Sequence, residues 1–243
     1  MTIKLLDLFS GIGGFSLGLE QTGQFETVAF CEINEPCRKV LNHHWPEVPC
    51  YDDIRNLNAS RLRADGITVD AICGGFPCQD ISKAGKVAGI EGQKSSIWSE
   101  YARLISELRP QVVFVENVAT LLGRGLYRVL GDLAEIGYDA EWHCLPASYV
   151  GAPHQRDRIW IIAYPQRNKQ SRPKSCFGQI RRMGWQFKSL AWDRHWETAL
   201  SEIRRMDDGL PRSVDRTDAL RNAIVPQLSY AIGQSYLESA TQT

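Results

Sequence analysis

Short runs of apolar residues, alternating with segments of helical spacing, constrain the fold of this chain most strongly. Residues 112–115 and 159–163 are apolar at every position. A strand that is apolar on both faces is buried on both sides, which is typical of a sheet covered by helices. Between such runs, segments such as residues 97–108 carry apolar residues at helical intervals. The alternation predicts an α/β fold with a doubly wound, mostly parallel sheet.

The same patterns divide the chain into elements and domains. We expect strands at residues 3–8, 27–31, 71–73, 112–115 and 159–163, with helices at 15–20, 35–43, 97–108 and 126–136. Residues 1–164 form the predicted catalytic and cofactor-binding domain. Residues 165–212 are irregular, basic and aromatic, and we interpret them as a small separate module. Residues 213–243 regain helical spacing, and Pro226 can begin the last helix.

Charge is distributed unevenly although the net charge is zero. Between residues 164 and 206, lysines and arginines far outnumber acidic residues. Such asymmetry is expected of a chain that contacts phosphates with one part, although a solvated loop would look the same. The seven cysteines are odd in number and scattered, which indicates reduced thiols and no metal site. No apolar stretch is long enough to span a membrane and no secretion signal is evident, so the cytosol is the expected compartment.

A glycine-rich turn follows the first predicted strand. Gly11 and Gly13 allow the backbone to turn tightly and to approach a ligand, but such a turn alone can be a simple connection. Glu32 follows the second strand, where a carboxylate can hold the two hydroxyls of a ribose. Asp53 lies where it could accept a hydrogen bond from an adenine amino group. In this order, the three features favour an adenosyl ligand.

A second group of residues are candidates for catalysis. Cys78 ends a Gly-Gly-Phe-Pro turn that offers little core in which to bury a thiol, so it is a candidate nucleophile rather than a structural cysteine. Glu116 and Asn117 follow the most apolar strand, where a carboxyl group is easier to protonate and an amide could brace the loop. Arg156 and Arg158 would share one face by strand alternation and suit an oxygen-rich partner, with structural salt bridges as the alternative.

These residues belong to motifs that resemble those of the DNA (cytosine-5) methyltransferases. The motifs, in the family's order, are DLFSGIGGFSLGLE, GGFPCQDIS, ENV, QRDRIWIIA and RNAIVPQLSYAIG. The resemblance covers most of the chain outside residues 165–206. It implies a class I methyltransferase fold, S-adenosylmethionine as the methyl donor, double-stranded DNA as the substrate and a monomer as the family's default state.

The resemblance also implies roles for individual residues. By this resemblance, Cys78 is the nucleophile and Glu116 contacts the ring nitrogen of cytosine. Arg158 contacts the ring oxygen, and Arg156 supports the catalytic turn. The implied cofactor set is Phe9, Gly11, Gly13, Glu32, Ile33, Asp53, Ile54, Pro77 and Asn222. The expected DNA-binding set is Ser82, Lys83, Lys94, Arg181 and Arg182.

Two departures from the family pattern leave alternatives open. Arg221 stands where the family usually has glycine, and the region available for target recognition is short. A methyltransferase acting on RNA cytosine and a catalytically idle DNA-binding relative are the competing hypotheses, as is a partner protein that supplies specificity. A cysteine hydrolase is rejected because nothing in the sequence places a histidine beside Cys78.

Overall fold

A seven-stranded sheet organises the chain, with the strand order β3-β2-β1-β4-β5-β7-β6. This computed structural model describes residues 2–77, 97–152, 155–166, 175–183 and 223–241. The strands are β1 (Ile3–Leu8), β2 (Phe25–Cys31), β3 (Cys50–Tyr51), β4 (Ala71–Gly75), β5 (Val112–Val118), β6 (Tyr138–Leu145) and β7 (Arg158–Pro165). Strands β1 to β5 run parallel, whereas β7 runs antiparallel to both of its neighbours, β5 and β6.

Helices connect the strands. They are α1 (Gly14–Glu20), α2 (Glu35–His44), α3 (Ala59–Ala64), α4 (Ile97–Leu108), α5 (Leu121–Arg124), α6 (Leu126–Glu135), α7 (Cys176–Met183) and α8 (Pro226–Thr241). In the described ranges, short 3₁₀ turns cover Ile54–Asn56 and Ala147–Val150. Among the described residues, none of these helices is both long and apolar enough to cross a membrane.

The sheet has a hydrophobic core on each face because successive residues of a strand point to opposite sides. Leu6 and Leu8 of β1 pack into one core with the apolar residues of α4 and α6, including Trp98 and Tyr101. Leu5 of the same strand packs into the other core with residues of α1, α7 and α8. The apolar runs of the sequence are therefore buried on both sides, as the fold class requires.

The start of helix α8 and the residues just before it approach α1 closely enough to exclude any side chain between them. A Cβ added to Gly14 would lie 2.4 Å from the Ile224 carbonyl oxygen, and one added to Gly18 would lie 2.1 Å from the Pro226 carbonyl oxygen. The spacing of four residues places these glycines on one face of α1. Through this contact the C-terminal segment packs directly against the helix that follows the glycine-rich turn.

The predicted fold class is confirmed, since the strand order and the helices on both faces are those of a class I methyltransferase-like sheet. Strand β6 was not predicted: it lies at the sheet edge with mixed burial, so it lacks the continuous apolar run of a central strand. Helix α7 lies within the range predicted as a separate module, yet Cys176, Phe177 and Ile180 are buried in the core shared with α1 and α8. The domain boundaries at residues 164 and 212 remain a prediction.

Candidate active site

The turn after β1 adopts a left-handed backbone at alternate residues. Phe9, Gly11 and Gly13 have φ values of 54°, 55° and 86°. A Cβ added to Gly13 would lie 2.6 Å from the Trp45 ring, so the turn needs glycine there both for its φ and for space. A Cβ added to Gly11 would meet no atom within 4 Å. The backbone at Gly11 therefore faces open space, as expected where a ligand approaches the main chain.

Glu32 ties the end of β2 to this turn. One carboxylate oxygen accepts a hydrogen bond from the Gly11 N–H at 2.7 Å, and the other accepts one from the Asn34 N–H at 2.7 Å. Glu32 is buried, whereas the next residue, Ile33, is 68% exposed. A carboxylate with an exposed aliphatic side chain beside it offers polar and apolar contacts at the same strand end.

Asp53 and Ile54 lie at the end of β3 and differ in what they can offer a ligand. The Asp53 carboxylate caps the 3₁₀ turn through the Arg55 N–H at 2.9 Å and also binds the Arg55 guanidinium at 2.7 Å. The hydrogen bonds from Arg55 hold the pKa of Asp53 below its usual value. The Ile54 side chain is buried in the core, so only its backbone can contribute to a cofactor site.

Glu116 is a buried carboxyl group in β5. Its Oε1 lies 2.9 Å from Nε of Arg158, the first residue of β7. Gly75 of β4 is the residue that pairs with Glu116 in the sheet. A Cβ added to Gly75 would lie 2.7 Å from Oε2 of Glu116, so glycine at this position lets the carboxyl group approach the β4 backbone. Burial raises the pKa of Glu116 to about 7, against the opposing effect of the two nearby guanidinium groups of Arg158 and Arg156. The group can therefore be protonated near neutral pH.

Asn117 connects this strand to the turn that precedes Cys78. Its Nδ2 donates a hydrogen bond to the Phe76 carbonyl at 2.8 Å, and its Oδ1 accepts one from the Val118 N–H at 2.9 Å. Both partners are main-chain groups, and Asn117 itself is buried. The expected bracing of the loop by this amide is thus present at Phe76, next to the exposed Pro77.

Arg156 differs from the expectation based on strand alternation. Strand β7 begins only at Arg158, and Arg156 has a left-handed φ of 42°. Its Nη2 donates a hydrogen bond to the Ala223 carbonyl at 2.7 Å, so it holds the segment that leads into α8. Burial and the neighbouring Arg158 lower its pKa, which Glu116 partly opposes. Both arginines lower the pKa of Glu116. However, only Arg158 belongs to the strand, so the two do not share a strand face as expected.

Two residues that sequence reasoning did not select also build the site. Asp7 is buried at the end of β1, and its Oδ2 accepts hydrogen bonds from the Ser16 hydroxyl at 2.7 Å and the Ser16 N–H at 3.3 Å. Burial raises the pKa of Asp7 to about 7, although hydrogen bonds from Ser16 and Cys73 oppose this. Ile224 lies against Gly14 and Gly75. The position of Asp7 just before the glycine-rich turn could have identified it as a site residue. Nothing in the sequence singled out Ile224 except that it belongs to the last motif.

Several predicted site residues lie outside the described residues, namely Cys78, Ser82, Lys83, Lys94 and Asn222. For Arg181 and Arg182 the structure describes only their place in α7. Of the remaining candidates, the structure brings together Phe9, Gly11, Gly13 and Glu32 at one strand end. It brings together Glu116, Arg156 and Arg158 at another. Both groups lie at the carboxyl edge of the parallel strands, where sheets of this kind bind ligands.

Sheet order and site define the class as methyltransferase-like, and comparisons with known proteins identify the family. The model of the C-5 cytosine-specific DNA methylases matches residues 3–236. The chain therefore belongs to that family, whose members use S-adenosylmethionine as the methyl donor.

Individual relatives agree with this assignment. The Type II methyltransferase M.CviJI of Paramecium bursaria Chlorella virus IL3A is 36% identical over 164 residues, which are 67% of this chain and 43% of that protein. The Type II methyltransferase M.HhaI of Haemophilus parahaemolyticus is 33% identical over 166 residues, which are 67% and 49% of the two chains. This chain spans about half the length of the relatives that it matches.

Solved structures resemble this one in fold. A DNMT2 variant of Spodoptera frugiperda has a TM-score of 0.58 and 24% identity, covering 69% of this chain and 51% of its own. The methyltransferase EhMeth of Entamoeba histolytica has a TM-score of 0.55 and 17% identity, covering 70% and 55%. At these identities the likeness shows that the fold is shared.

Proposed function

We propose that this chain methylates carbon 5 of cytosine in double-stranded DNA, with S-adenosylmethionine as the methyl donor and Cys78 as the covalent nucleophile. The observation that carries the proposal is the buried Glu116, paired with Arg158 at 2.9 Å and raised in pKa to about 7. A proton donor with these properties stands beside the Gly75–Pro77 turn, and Cys78 is the next residue in the chain.

The turn and strand ends on the other side of the site fit the cofactor. The open space in front of Gly11 can admit a ligand that contacts the main chain. Glu32 now accepts hydrogen bonds from the Gly11 and Asn34 N–H groups. With the cofactor bound, its carboxylate would instead accept hydrogen bonds from the ribose hydroxyls. The exposed Ile33 would pack on the adenine ring, and Asp53 would accept from the adenine amino group. Phe9, Gly13, the Ile54 backbone, Pro77 and Asn222 complete the proposed set.

S-adenosylmethionine, when bound, supplies a methyl group made electrophilic by its positive sulfur. The protein must therefore make carbon 5 of cytosine nucleophilic. The Cys78 thiolate forms a bond to carbon 6, the ring electrons shift to ring nitrogen 3, and that nitrogen takes the proton of Glu116. Carbon 5 then has the character of an enamine carbon and can form a new bond to carbon.

The ring recovers once carbon 5 carries the methyl group. Carbon 5 loses its hydrogen as a proton to a base, the carbon 6–sulfur bond breaks, and the Cys78 thiolate is released. The proton on ring nitrogen 3 returns to Glu116. Arg158 would donate to the ring oxygen and hold the base in place, while Asn117 fixes the turn before Cys78 through Phe76. A stacked base cannot reach these groups, so the cytosine must leave the duplex.

The DNA surface and the assembly form part of the same proposal. The proposed phosphate contacts are Ser82, Lys83 and Lys94, which follow Cys78 in the sequence, together with Arg181 and Arg182 of α7. The proposed active form is a monomer. Phosphate contacts position a duplex without reading its sequence, which suits a recognition region from 165 to 212 that is short. We infer that a member of this kind modifies DNA alongside a restriction system, as the Type II names of its relatives suggest.

The test is the product formed. Purified chain is incubated with isotopically methyl-labelled S-adenosylmethionine and unmethylated duplex DNA, and the digested nucleosides are identified by mass spectrometry. Labelled 5-methyldeoxycytidine is expected from the wild type and none from Cys78→Ala. Label in RNA cytosine alone, in a parallel incubation, would contradict the assignment to DNA. So would binding of the cofactor with no labelled nucleoside in either nucleic acid.

A further inference from the structure

The segment that joins β5 to α6 carries an unusual set of exposed side chains. Thr120, Leu122, Arg124 and Tyr127 are exposed, and we call these four residues the β5–α6 surface. Tyr127 is 82% exposed and Leu122 is 51% exposed. Large apolar side chains at this level of exposure indicate a surface that meets a partner when they lie together with polar groups.

The topology places this surface next to the candidate active site. Strand β5 ends at Val118, two residues after Glu116. Helix α6 then packs back along the sheet against β6 and α4, so its first turn, with Tyr127, lies at the carboxyl edge of β5. That edge is the one at which Glu116 meets Arg158. A duplex whose cytosine reaches Glu116 must pass its flanking phosphates over this edge.

Among the described residues, the arginine of this surface has no acidic partner. Arg128 lies 3.8 Å from Asp132, and Arg103 pairs with both Glu100 and Glu107 at 2.8 Å. Arg124, in contrast, makes no side-chain hydrogen bond or ion pair with any residue in the described ranges, and it is exposed. A guanidinium group without a carboxylate partner is well suited to bind a phosphate by two hydrogen bonds.

The combination favours DNA over a protein partner. Arginine and tyrosine side chains are common donors to DNA phosphates, and exposed apolar residues are common where a protein presses against a distorted duplex. An apolar protein interface would instead be depleted of unpaired charge at its centre. We propose that the β5–α6 surface is a DNA-contact element, in which Arg124 and Tyr127 bind the sugar-phosphate backbone beside the extruded cytosine. The inference rests on the proposed function, because it takes the substrate to be duplex DNA.

The test compares Arg124→Ala with Arg63→Ala. Arg63 is also an exposed arginine, but it lies in the last turn of α3, just before the amino end of β4 and so at the opposite edge of the sheet. The dissociation constant for unmethylated duplex DNA is measured by fluorescence anisotropy at several salt concentrations, and thermal melting confirms that each variant is folded. Loss of one phosphate contact should weaken binding and reduce the slope of log K against log salt by about 0.9. Arg63→Ala should match the wild type.

Tyr127→Phe and Tyr127→Ala separate the hydroxyl group from the ring. We expect weaker DNA binding with Tyr127→Ala and an intermediate loss with Tyr127→Phe, because only the hydroxyl group can donate to a phosphate. Unchanged affinity and salt slope in both Arg124→Ala and Tyr127→Ala would overturn the inference. A change in self-association alone would overturn it in favour of a protein interface.

The two proposals can fail separately. If the wild type forms 5-methyldeoxycytidine but Arg124→Ala keeps the wild-type salt slope, only this inference is wrong. If the wild type binds DNA with an Arg124-dependent slope but forms no methylated base, the DNA-contact element stands and the proposed activity does not. A wild type that neither binds nor methylates DNA would contradict both.

Discussion

The buried carboxyl group of Glu116 is the proton donor in the proposed reaction. An ionised carboxylate in the interior loses its hydration, so burial favours the protonated form unless positive charge compensates. Here Arg158 pairs with it at 2.9 Å, yet the pKa is still raised to about 7. The outcome is a group that can hold a proton near neutral pH. The proposed proton transfer to ring nitrogen 3 requires such a group.

Replacing Glu116 by glutamine should change the pH dependence of methylation. The carboxyl group is protonated below its pKa of about 7, so the donor form is lost and the wild-type rate should fall as the pH rises through that value. Glu116→Gln should lower kcat by about 10² to 10⁴ and should lack this alkaline decline. The measurement is the initial rate of methylation from pH 5.5 to about 9.

A matched control for this variant is Glu135→Gln, because Glu135 is an exposed carboxylate at the end of α6. It should keep the wild-type profile. An unchanged alkaline decline in Glu116→Gln would show that another group titrates there and would contradict the role assigned to Glu116.

The absence of a side chain at Gly75 leaves room for the Glu116 carboxyl group. A methyl group added there would lie 2.7 Å from Glu116 Oε2 and 3.6 Å from both the Glu116 carbonyl and Ile224 Cδ1. Gly75→Ala should therefore displace Glu116 and lower kcat by about 100-fold, while the affinity for S-adenosylmethionine stays within about twofold. Steady-state kinetics and calorimetric titration of the cofactor measure the two quantities. Wild-type kcat in this variant would contradict the close approach of Glu116 to the β4 backbone.

At the scale of elements, the contact between α1 and α8 joins the glycine-rich turn to the C-terminal segment. Gly14 and Gly18 bring α1 against the main chain of Ile224 and Pro226. Arg156 also holds this segment, through a hydrogen bond to the Ala223 carbonyl. The described part of the last family motif is thus held both by α1, which follows the glycine-rich turn, and by an arginine that influences Glu116.

Gly18→Ala should destabilise the protein because its Cβ would lie 2.1 Å from the Pro226 carbonyl oxygen and 2.6 Å from Ser229 Cβ. We expect a loss of about 3 kcal/mol in the free energy of unfolding, measured by thermal or chemical denaturation. Gly131→Ala is the matched control, because Gly131 lies in the middle of α6 and its added Cβ meets nothing within 4 Å. That variant should gain about 0.5 to 1 kcal/mol. Equal stabilities of the two variants would contradict the described packing.

Sequence patterns predicted the central elements well because those strands are apolar on both faces. Strands β1, β4, β5 and β7 all lie near their predicted positions, and Pro226 begins α8 as expected. Strand β6 escaped prediction because an edge strand needs no continuous apolar run. The motifs indicated Glu116 and Glu32, but not the left-handed φ of Arg156 or its bond to Ala223, since these depend on tertiary contacts between distant segments.

At the scale of the whole molecule, the chain combines the family's catalytic motifs with about half the length of its relatives. Both cores of the sheet are present in the described ranges, and all the described site residues lie at one edge. The proposed DNA contacts are with phosphates, so we expect the affinity that tests them to depend strongly on salt.

The measurement that tests the central claim most directly is covalent trapping on duplex DNA that carries 5-fluorocytosine. Fluorine replaces the hydrogen that must leave carbon 5 as a proton, so the bond between Cys78 and carbon 6 cannot break after methyl transfer. With S-adenosylmethionine present, the wild type should form an adduct that survives denaturation, and Cys78→Ser should form none. The same adduct with Cys78→Ser, or no adduct from a wild type that methylates DNA, would contradict the covalent mechanism.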